Sequence, residues 1–380
     1  MNTKKLLYTS LLLLLSFSTL IAQDFLDKTL MHDGETREFA VYVPSSYDGS
    51  ENVPLLFNFH GGSGDIASQI AVSDMRAMAD TANFIVVYPQ ALPDPNDDGA
   101  TLWTHKEPTT VDDIYFVEAM IDDLATEYAI DQNRVYACGY SNGGEFSFEL
   151  ACRLSHRIAA VGVVARSMYI ETYNECSPSH PMGIVTIHGS EDEYEGITFL
   201  GTTYYIALDD VNAYWSNYNN TDATPIVTEL PNLNSNDGST VEHYVWQNGD
   251  GCVSIEHFKV IGGGHDWPGS WGNLDIDASV EIWKYVSQYD INGRIDCSTT
   301  AIDEQMKSEN KLLIYPNPAE NFLTIDIDIT TAQTYEIYTA SGKLALSGTM
   351  NATHKTIDVS NLSSSLYFIK IGHQTFKFFK

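Results

Sequence analysis

Three side chains in this sequence have the types and chain order needed to cleave an acyl bond with a serine. Ser141 stands in the stretch Gly139-Tyr140-Ser141-Asn142-Gly143, between the strand-like run "RVYACG" and a helical pattern. A serine hydroxyl attacks a carbonyl only when a base takes its proton, a carboxylate orients that base and donors hold the oxyanion. A strand–turn–helix elbow with small neighbours exposes such a serine in a strained backbone conformation. An ordinary Gly/Asn turn with an incidental serine fits the same five residues, so the rest of the chain must decide.

The partners occur downstream in the required order. The strand-like run "GIVTIHG" leads into "SEDEYEG", which offers Asp192, with Glu191 and Glu193 competing for its role. The run "IEHFKVI" leads into "GGGHDWPG", which offers His265 in a glycine-rich loop. Upstream, "LLFNFHGGSGD" closes a strand on His60-Gly61-Gly62-Ser63. Glycines there let a backbone N–H, that of Gly62, approach a substrate oxygen, and the N–H of Asn142 is the second donor. His60 and His188 also end strands and read as structural residues bracing their loops. Any one of these features is weak alone, whereas the ordered set is hard to produce by chance.

Strands must alternate with helices to put these loops together. "REFAVYVP", "PLLFNFHGG", "FIVVYPQ", "RVYACG", "AAVGVVA", "GIVTIHG" and "IEHFKVI" read as strands. Between and after them, "VSDMRAMADTA", the run after Ser141, "LDDVNAYWSNY" and "DASVEIWKYVSQY" read as helices. In "VDDIYFVEAMIDDLATEYA" the residues Ile114, Val117, Ile121 and Leu124 step by three and four, which predicts one buried helix face. The alternation predicts an α/β fold with a mostly parallel sheet covered by helices on both faces, and reactive residues at the carboxyl ends of its strands.

The 380 residues carry a formal charge of −31, with a pI near 4.4. Nucleic acid and anionic membrane surfaces, which need basic patches, are poor partners for such a chain. Lys4 and Lys5 followed by "LLYTSLLLLLSFSTLIA" predict a secretory signal peptide over residues 1–22, and no later stretch is apolar enough to span a bilayer. Export makes the five cysteines candidates for disulfides. Cys152 can bridge to Cys176 and Cys252 to Cys297, while Cys138 reads as a buried thiol. The stretch "DPNDDG" places Asp94, Asn96 and Asp98 at alternate positions with a glycine sixth, like the opening of a calcium loop. The twelfth position is His105 rather than a bidentate glutamate, which favours a solvated acidic turn. No cofactor is called for. After Cys297 the chain turns polar over 298–311, then shows only strand-like runs and turns over 312–380, the pattern of a small all-β sandwich.

The segments "HGGSGD", "VVYPQAL", "VDDIYFVEAMIDDLATEYAIDQNRVYACGYSNGG", "HGSEDE" and "GGGHDWPG" together resemble the secreted polyhydroxybutyrate-depolymerase-like and feruloyl-esterase-like enzymes. The resemblance spans about residues 25–297 and implies an α/β-hydrolase domain over 23–297. It also implies the nucleophile at Ser141, the acid at Asp192 and the base at His265. The activity implied is removal of feruloyl or acetyl groups from plant or algal polysaccharides by an acyl-enzyme mechanism. A polyester such as polyhydroxybutyrate is an alternative substrate, and a serine peptidase on the same fold is another. After the acid, "EYEGITFLGTTYY" departs from the family's usual Val-Pro-Tyr type stretch and alters the cleft. Tyr140, Trp267, Trp103 and Tyr169 are candidates to line that cleft, with packing an equal reading for Trp103. The tail "YPNPAENFLTIDI" to "FKFFK" is similar to the C-terminal sorting domain of type IX secretion. It implies secretion machinery as a partner and export through the periplasm of a Gram-negative bacterium to the medium or cell surface.

Overall fold

The computed structural model describes residues 24–297, apart from 96, 105–111, 194–195, 197 and 200–201, together with the strands and some connections of 313–380. The signal peptide and linker expected at 1–22 and 298–311 lie outside the described residues. The chain divides into two compact units, Met1–Cys297 and Ser298–Lys380.

The first unit is built on a ten-stranded sheet in the order β1-β2-β4-β3-β5-β6-β7-β12-β11-β10. Its strands are β1 (Asp24–His32), β2 (Glu35–Val43), β3 (Val53–Phe59), β4 (Ile85–Pro89), β5 (Ile130–Tyr140), β6 (Ala160–Val164), β7 (Gly183–Gly189), β10 (Ile226–Glu229), β11 (Thr240–Trp246) and β12 (Ile255–Ile261). Short hairpins β8 (Thr198–Phe199) with β9 (Thr202–Thr203), and β13 (Tyr289–Asp290) with β14 (Gly293–Arg294), stand outside it. From β4 through β12 the neighbours are parallel, and antiparallel strands finish both edges. The helices are α1 (Ile66–Val72), α2 (Arg76–Ala82), α3 (Asp113–Glu127), α4 (Asn142–Arg153), α5 (Ile170–Glu175), α6 (Leu208–Tyr218) and α7 (Ala278–Val286).

Why the parallel strands read as continuous apolar runs is visible in their burial. All residues of β3 and of β7 are buried, because helices cover both faces. Alternate side chains feed two cores. Leu55, Phe57, Val135, Ala137 and Val161 point to one, with α3, α4 and α6; Leu56, Tyr136, Cys138, Val164 and Val185 point to the other, with α2 and α7. The face expected for α3 is buried as the spacing predicts, and the Asp112 carboxylate caps it by accepting from the N–H groups of Ile114 and Tyr115. At Gly162 a Cβ would lie 2.7 Å from Ile282, so α7 rests directly on the sheet there. Among the described residues no helix is long and apolar enough to cross a membrane.

One expectation needs correction. "VSDMRAMADTA" is not one helix: Ser73 closes α1 and the chain restarts as α2 at Arg76. The Asn58 amide donates to the backbone oxygen and the hydroxyl of Ser73, at 3.2 and 3.0 Å, and holds that break against the sheet. Both expected disulfides form, Cys152–Cys176 joining α4 to the end of α5 and Cys252–Cys297 fastening the end of the unit, and Cys138 is a buried free thiol.

The second unit has strands β15 (Leu313–Tyr315), β16 (Phe322–Asp326), β17 (Gln333–Thr339), β18 (Leu344–Met350), β19 (Thr356–Asp358), β20 (Leu366–Ile371) and β21 (Gln374–Phe379). They form a three-stranded sheet, β15-β16-β19, and a four-stranded one, β18-β17-β20-β21. Leu323, Ile325 and Ile357 of one sheet share a core with Ile337, Ile369 and Phe378 of the other, which makes a small sandwich.

Candidate active site

The β5–α4 corner bends at Ser141, whose φ of 52° and ψ of −119° lie where L residues are strained. The corner is tight enough to exclude side chains on either side of it. A Cβ on Gly139 would meet the Gly143 backbone at 2.4 Å, and one on Gly143 would meet Phe59 O at 2.4 Å and His60 O at 2.6 Å. Ser141 N–H donates to Val164 O at 3.0 Å, and its carbonyl accepts from Glu145 N–H to start α4. The glycines therefore serve the serine's position, as the elbow reading requires.

Asp192 and His265 reach it from two loops stitched backbone to backbone. A Cβ on Gly189 would lie 2.3 Å from the carbonyl oxygens of Gly263 and Gly264, so only glycine lets β7 end that close to the loop after β12. Ser190 N–H donates to Val260 O and Glu191 N–H to Gly263 O, both at 2.8 Å. His265 Nδ1 lies 2.9 Å from Asp192 Oδ2, and His265 Nε2 lies 2.9 Å from Ser141 Oγ. A carboxylate only accepts, so Nδ1 carries the proton and Nε2 takes the serine's hydrogen bond. The Asp192 side chain is fully buried against His265, whereas Glu191 and Glu193 are exposed. His188 Nε2 stands 3.7 Å from the same Asp192 oxygen.

The expected oxyanion donors lie beside the serine. His60 is buried, and its Nε2 accepts from Ala91 N–H at 3.1 Å, so its Nδ1 donates to Gly61 O at 2.7 Å. Burial holds this imidazole below its usual pKa and keeps it neutral. Gly64 N–H also donates to Gly61 O, and in a trans peptide this turns the Gly62 N–H away from His60. A Cβ on Gly62 would sit 3.8 Å from the Asn142 Cβ, and Asn142 opens α4, where backbone N–H groups lack helical partners. The Asn142 Oδ1 accepts from Trp103 N–H at 2.8 Å.

The four aromatic candidates separate. Tyr140 is half-buried at the site; its hydroxyl donates to His265 O at 2.8 Å and its ring lies 5.1 Å from the imidazole. Tyr169 is partly exposed beside Tyr205. Trp103 and Trp267 are corrections, because both are buried and neither offers a ring to a ligand. Trp103 donates its indole N–H to His60 O at 2.9 Å and stacks on Phe146. Trp267 donates its indole N–H to Ser279 Oγ at 3.2 Å. Sequence reasoning missed two features: Trp271, described below, and a clasp one turn after the serine. In that clasp Tyr205 donates to Glu145 at 3.0 Å and Arg166 pairs with both. Its members come from α4, the loop after β6 and the segment after β9, and no local pattern links them. Around the acidic stretch, Asp94 N–H donates to Ala100 O and Asp94 O accepts from Asp97 and Gly99, which closes a turn; Asn96 and His105 lie outside the described residues. Among the described residues no group of three or more His, Cys, Asp or Glu is arranged to hold a metal.

Beneath the acid loop, His257 is buried with Nδ1 2.8 Å from Thr186 Oγ1. Burial, with the charges of His188 and Lys259 adding to it, pushes its pKa down to about 3. The folded protein thus keeps this imidazole neutral while the unfolded chain protonates it below about pH 6.5. The unfolded state binds more protons, so stability falls as pH drops from about 6.5 towards the folded pKa, by about 1.4 kcal/mol per unit for this group. Urea unfolding between pH 4 and 7 should show a shallower pH slope in His257→Asn than in the wild type. Equal slopes would show that His257 is not buried neutral.

A mostly parallel central sheet with Ser141 at a strand–helix elbow, Asp192 after β7 and His265 after β12 has the arrangement of the α/β-hydrolase fold. Residues 37–191 match the family of esterases described as PHB depolymerase, and residues 313–380 match the secretion system C-terminal sorting domain. The earlier segment is thus similar to an esterase family, and the later one to a sorting domain. It is similar to a bifunctional acetylxylan esterase/xylanase of Neocallimastix patriciarum, 28% identical over 70% of this chain and 35% of the relative. It is also similar to feruloyl esterase B of Piromyces equi, 26% identical over 67% of this chain and 46% of the relative. The chain therefore spans between a third and a half of the length of these relatives. Among solved structures, an acetyl xylan esterase from Aspergillus awamori aligns over 66% of this chain and 94% of its own, at 16% identity and a TM-score of 0.47.

Proposed function

We propose that this chain is a secreted serine carboxylic ester hydrolase that removes feruloyl or acetyl groups from plant or algal polysaccharides. The observation that carries the reading is the continuous relay from Asp192 through His265 to Ser141, with both hydrogen bonds at 2.9 Å. His265 Nε2 takes the proton of Ser141 as the Oγ attacks the ester carbonyl, and Asp192 stabilises the imidazolium. The oxyanion rests on the N–H groups of Gly62 and Asn142; losing one such donor typically costs about 2.7–4 kcal/mol of barrier. The C–O bond to the alcohol breaks as His265 returns the proton to the leaving oxygen. Water then attacks the acyl-enzyme and gives its proton to the same nitrogen; the C–Oγ bond breaks, His265 returns that proton to Ser141 Oγ, and the acid leaves. All of these steps use the chain's own residues.

The polysaccharide ester substrate is suggested by the relatives, an acetylxylan esterase/xylanase and a feruloyl esterase, and by a tail similar to a secretion sorting domain. Attachment to the secretion machinery through residues 312–380, passage through a Gram-negative periplasm and a final place outside the cell or on its surface belong to the same reading. The match to the polyhydroxybutyrate depolymerase description favours a second reading, a polyester substrate. The full chain assayed on methyl ferulate, acetylated xylan, hydroxybutyrate oligomers and peptide anilides separates these. Release of ferulate or acetate at least about tenfold faster than hydroxybutyrate supports the polysaccharide reading. The reverse preference supports the polyester, and cleavage of the anilides alone would replace both with a peptidase.

A further inference from the structure

Loop 262–277 carries a tryptophan that neither the core nor the relay uses. Trp271 is 36% exposed, and its ring stands edge-on to Tyr140 with centroids 5.6 Å apart. Tyr140 in turn lies 5.1 Å from His265 and bonds its carbonyl. An aromatic wall therefore runs from the imidazole outward to solvent and ends on an open indole. Leaving so large an apolar side chain in water forgoes a substantial burial energy.

The loop holds Trp271 in place before any ligand arrives. Trp271 N–H donates to Trp267 O at 3.1 Å, and Gly269 N–H donates to Asn273 O at 2.8 Å. Asn273 is buried and donates its amide to Ser239 Oγ at 2.8 Å. Gly272 adopts a φ of +73°, and a Cβ there would lie 2.4 Å from the Asp266 carboxylate, so only glycine closes the turn beside the indole. A surface fixed in this way loses little freedom when it binds.

Its position selects which half of an ester it meets. In acyl transfer through such a relay the histidine protonates the departing alcohol, so the alcohol lies on the imidazole's side of the carbonyl. The wall ending at Trp271 starts from that imidazole, through Tyr140. We infer that Trp271 is the stacking platform for a sugar ring of the leaving alcohol, the residue next to the ester bond in a polysaccharide substrate. The C–H face of a sugar ring is apolar and slightly positive and suits the negative face of an indole. This inference rests on the esterase reading above, and Trp271 acts by binding, with no part in proton transfer.

The test holds the acyl group constant and changes the alcohol. Full-length wild type, Trp271→Ala and Trp271→Phe are assayed on methyl ferulate and a feruloylated arabinoxylo-oligosaccharide, and on methyl acetate and an acetylated xylo-oligosaccharide. In Trp271→Ala, kcat/KM on the oligosaccharide esters should fall about tenfold through KM, while the methyl esters change less than about twofold. Trp271→Phe should recover most of the loss, and the unacylated oligosaccharide should weaken as a competitive inhibitor of the alanine variant alone. Equal losses on methyl and sugar esters, or no loss on either, would overturn the platform. A wild type that cleaves none of the four would bring down the esterase reading itself, and the platform with it.

Discussion

Ser141→Ala is expected to lower kcat on any ester the wild type cleaves by about four to six orders of magnitude, with the fold intact. The elbow offers one hydroxyl in line with His265 Nε2, at 2.9 Å, and alanine removes it without adding bulk to the corner. The strained φ of 52° is a backbone property, so alanine inherits it and no glycine-like relaxation follows. His265→Ala should cost about as much, and the double variant little more, because nucleophile and base act as one unit. Asp192→Asn should cost about 10⁴-fold, since an amide in that buried position can donate to Nδ1 and favour the wrong imidazole tautomer. Initial rates beside far-ultraviolet circular dichroism check these together. A Ser141→Ala enzyme that keeps more than a hundredth of the wild-type rate would mean that another group attacks the carbonyl.

The largest expected loss of stability lies away from the relay, at Arg37 and Asp113. The guanidinium and the carboxylate are buried with 2.6 Å between Nη2 and Oδ1. Burial pushes the Asp113 carboxyl up while Arg37 opposes it, and the second carboxylate oxygen accepts from Thr104 N–H at 2.7 Å. Arg37 also lies 3.9 Å over the Phe116 ring. Asp113→Ala strands a cation that cannot shed its proton, and about 3–5 kcal/mol should be lost in urea unfolding. Arg37→Met with Asp113→Leu should lose well under the sum of the single changes, because neither charge is left alone. Thr104 follows Trp103, whose N–H binds Asn142, so the single variant should also lose activity. A loss below about 1 kcal/mol in Asp113→Ala would show that water reaches the pair and solvates the Arg37 cation.

How much of this was legible before the coordinates depends on whether a feature is local. The elbow, the glycines flanking it and the loops carrying Asp192 and His265 are local motifs at strand ends, and each stands where its pattern placed it. The residues alone left Asp192 open against Glu191 and Glu193, since that depends on which carboxylate the β7 loop turns inward; the family resemblance is what pointed to Asp192. The buried strands announced themselves as unbroken apolar runs, whereas β10 and β11 did not. All of β10 is exposed at the sheet edge and β11 is only partly buried, so their composition carries little signal. The aromatic residues misled for a related reason. Trp103 and Trp267 sit in loops by sequence, yet each indole N–H finds a buried acceptor and the ring follows it inward. Trp271, four positions on, has the same local character and the opposite fate. Only the path of the chain through Gly269 and Gly272 separates them.

The central claim is that Ser141 is the nucleophile of an ester-cleaving relay, and covalent capture tests it most directly. A fluorophosphonate transfers phosphorus to an activated serine oxygen, forming an Oγ–P bond and releasing fluoride. The full chain treated with it and then mapped by peptide mass spectrometry should carry one adduct, on Ser141, absent from His265→Ala treated in the same way. An adduct on another serine, or none in a protein that cleaves esters, would contradict the account.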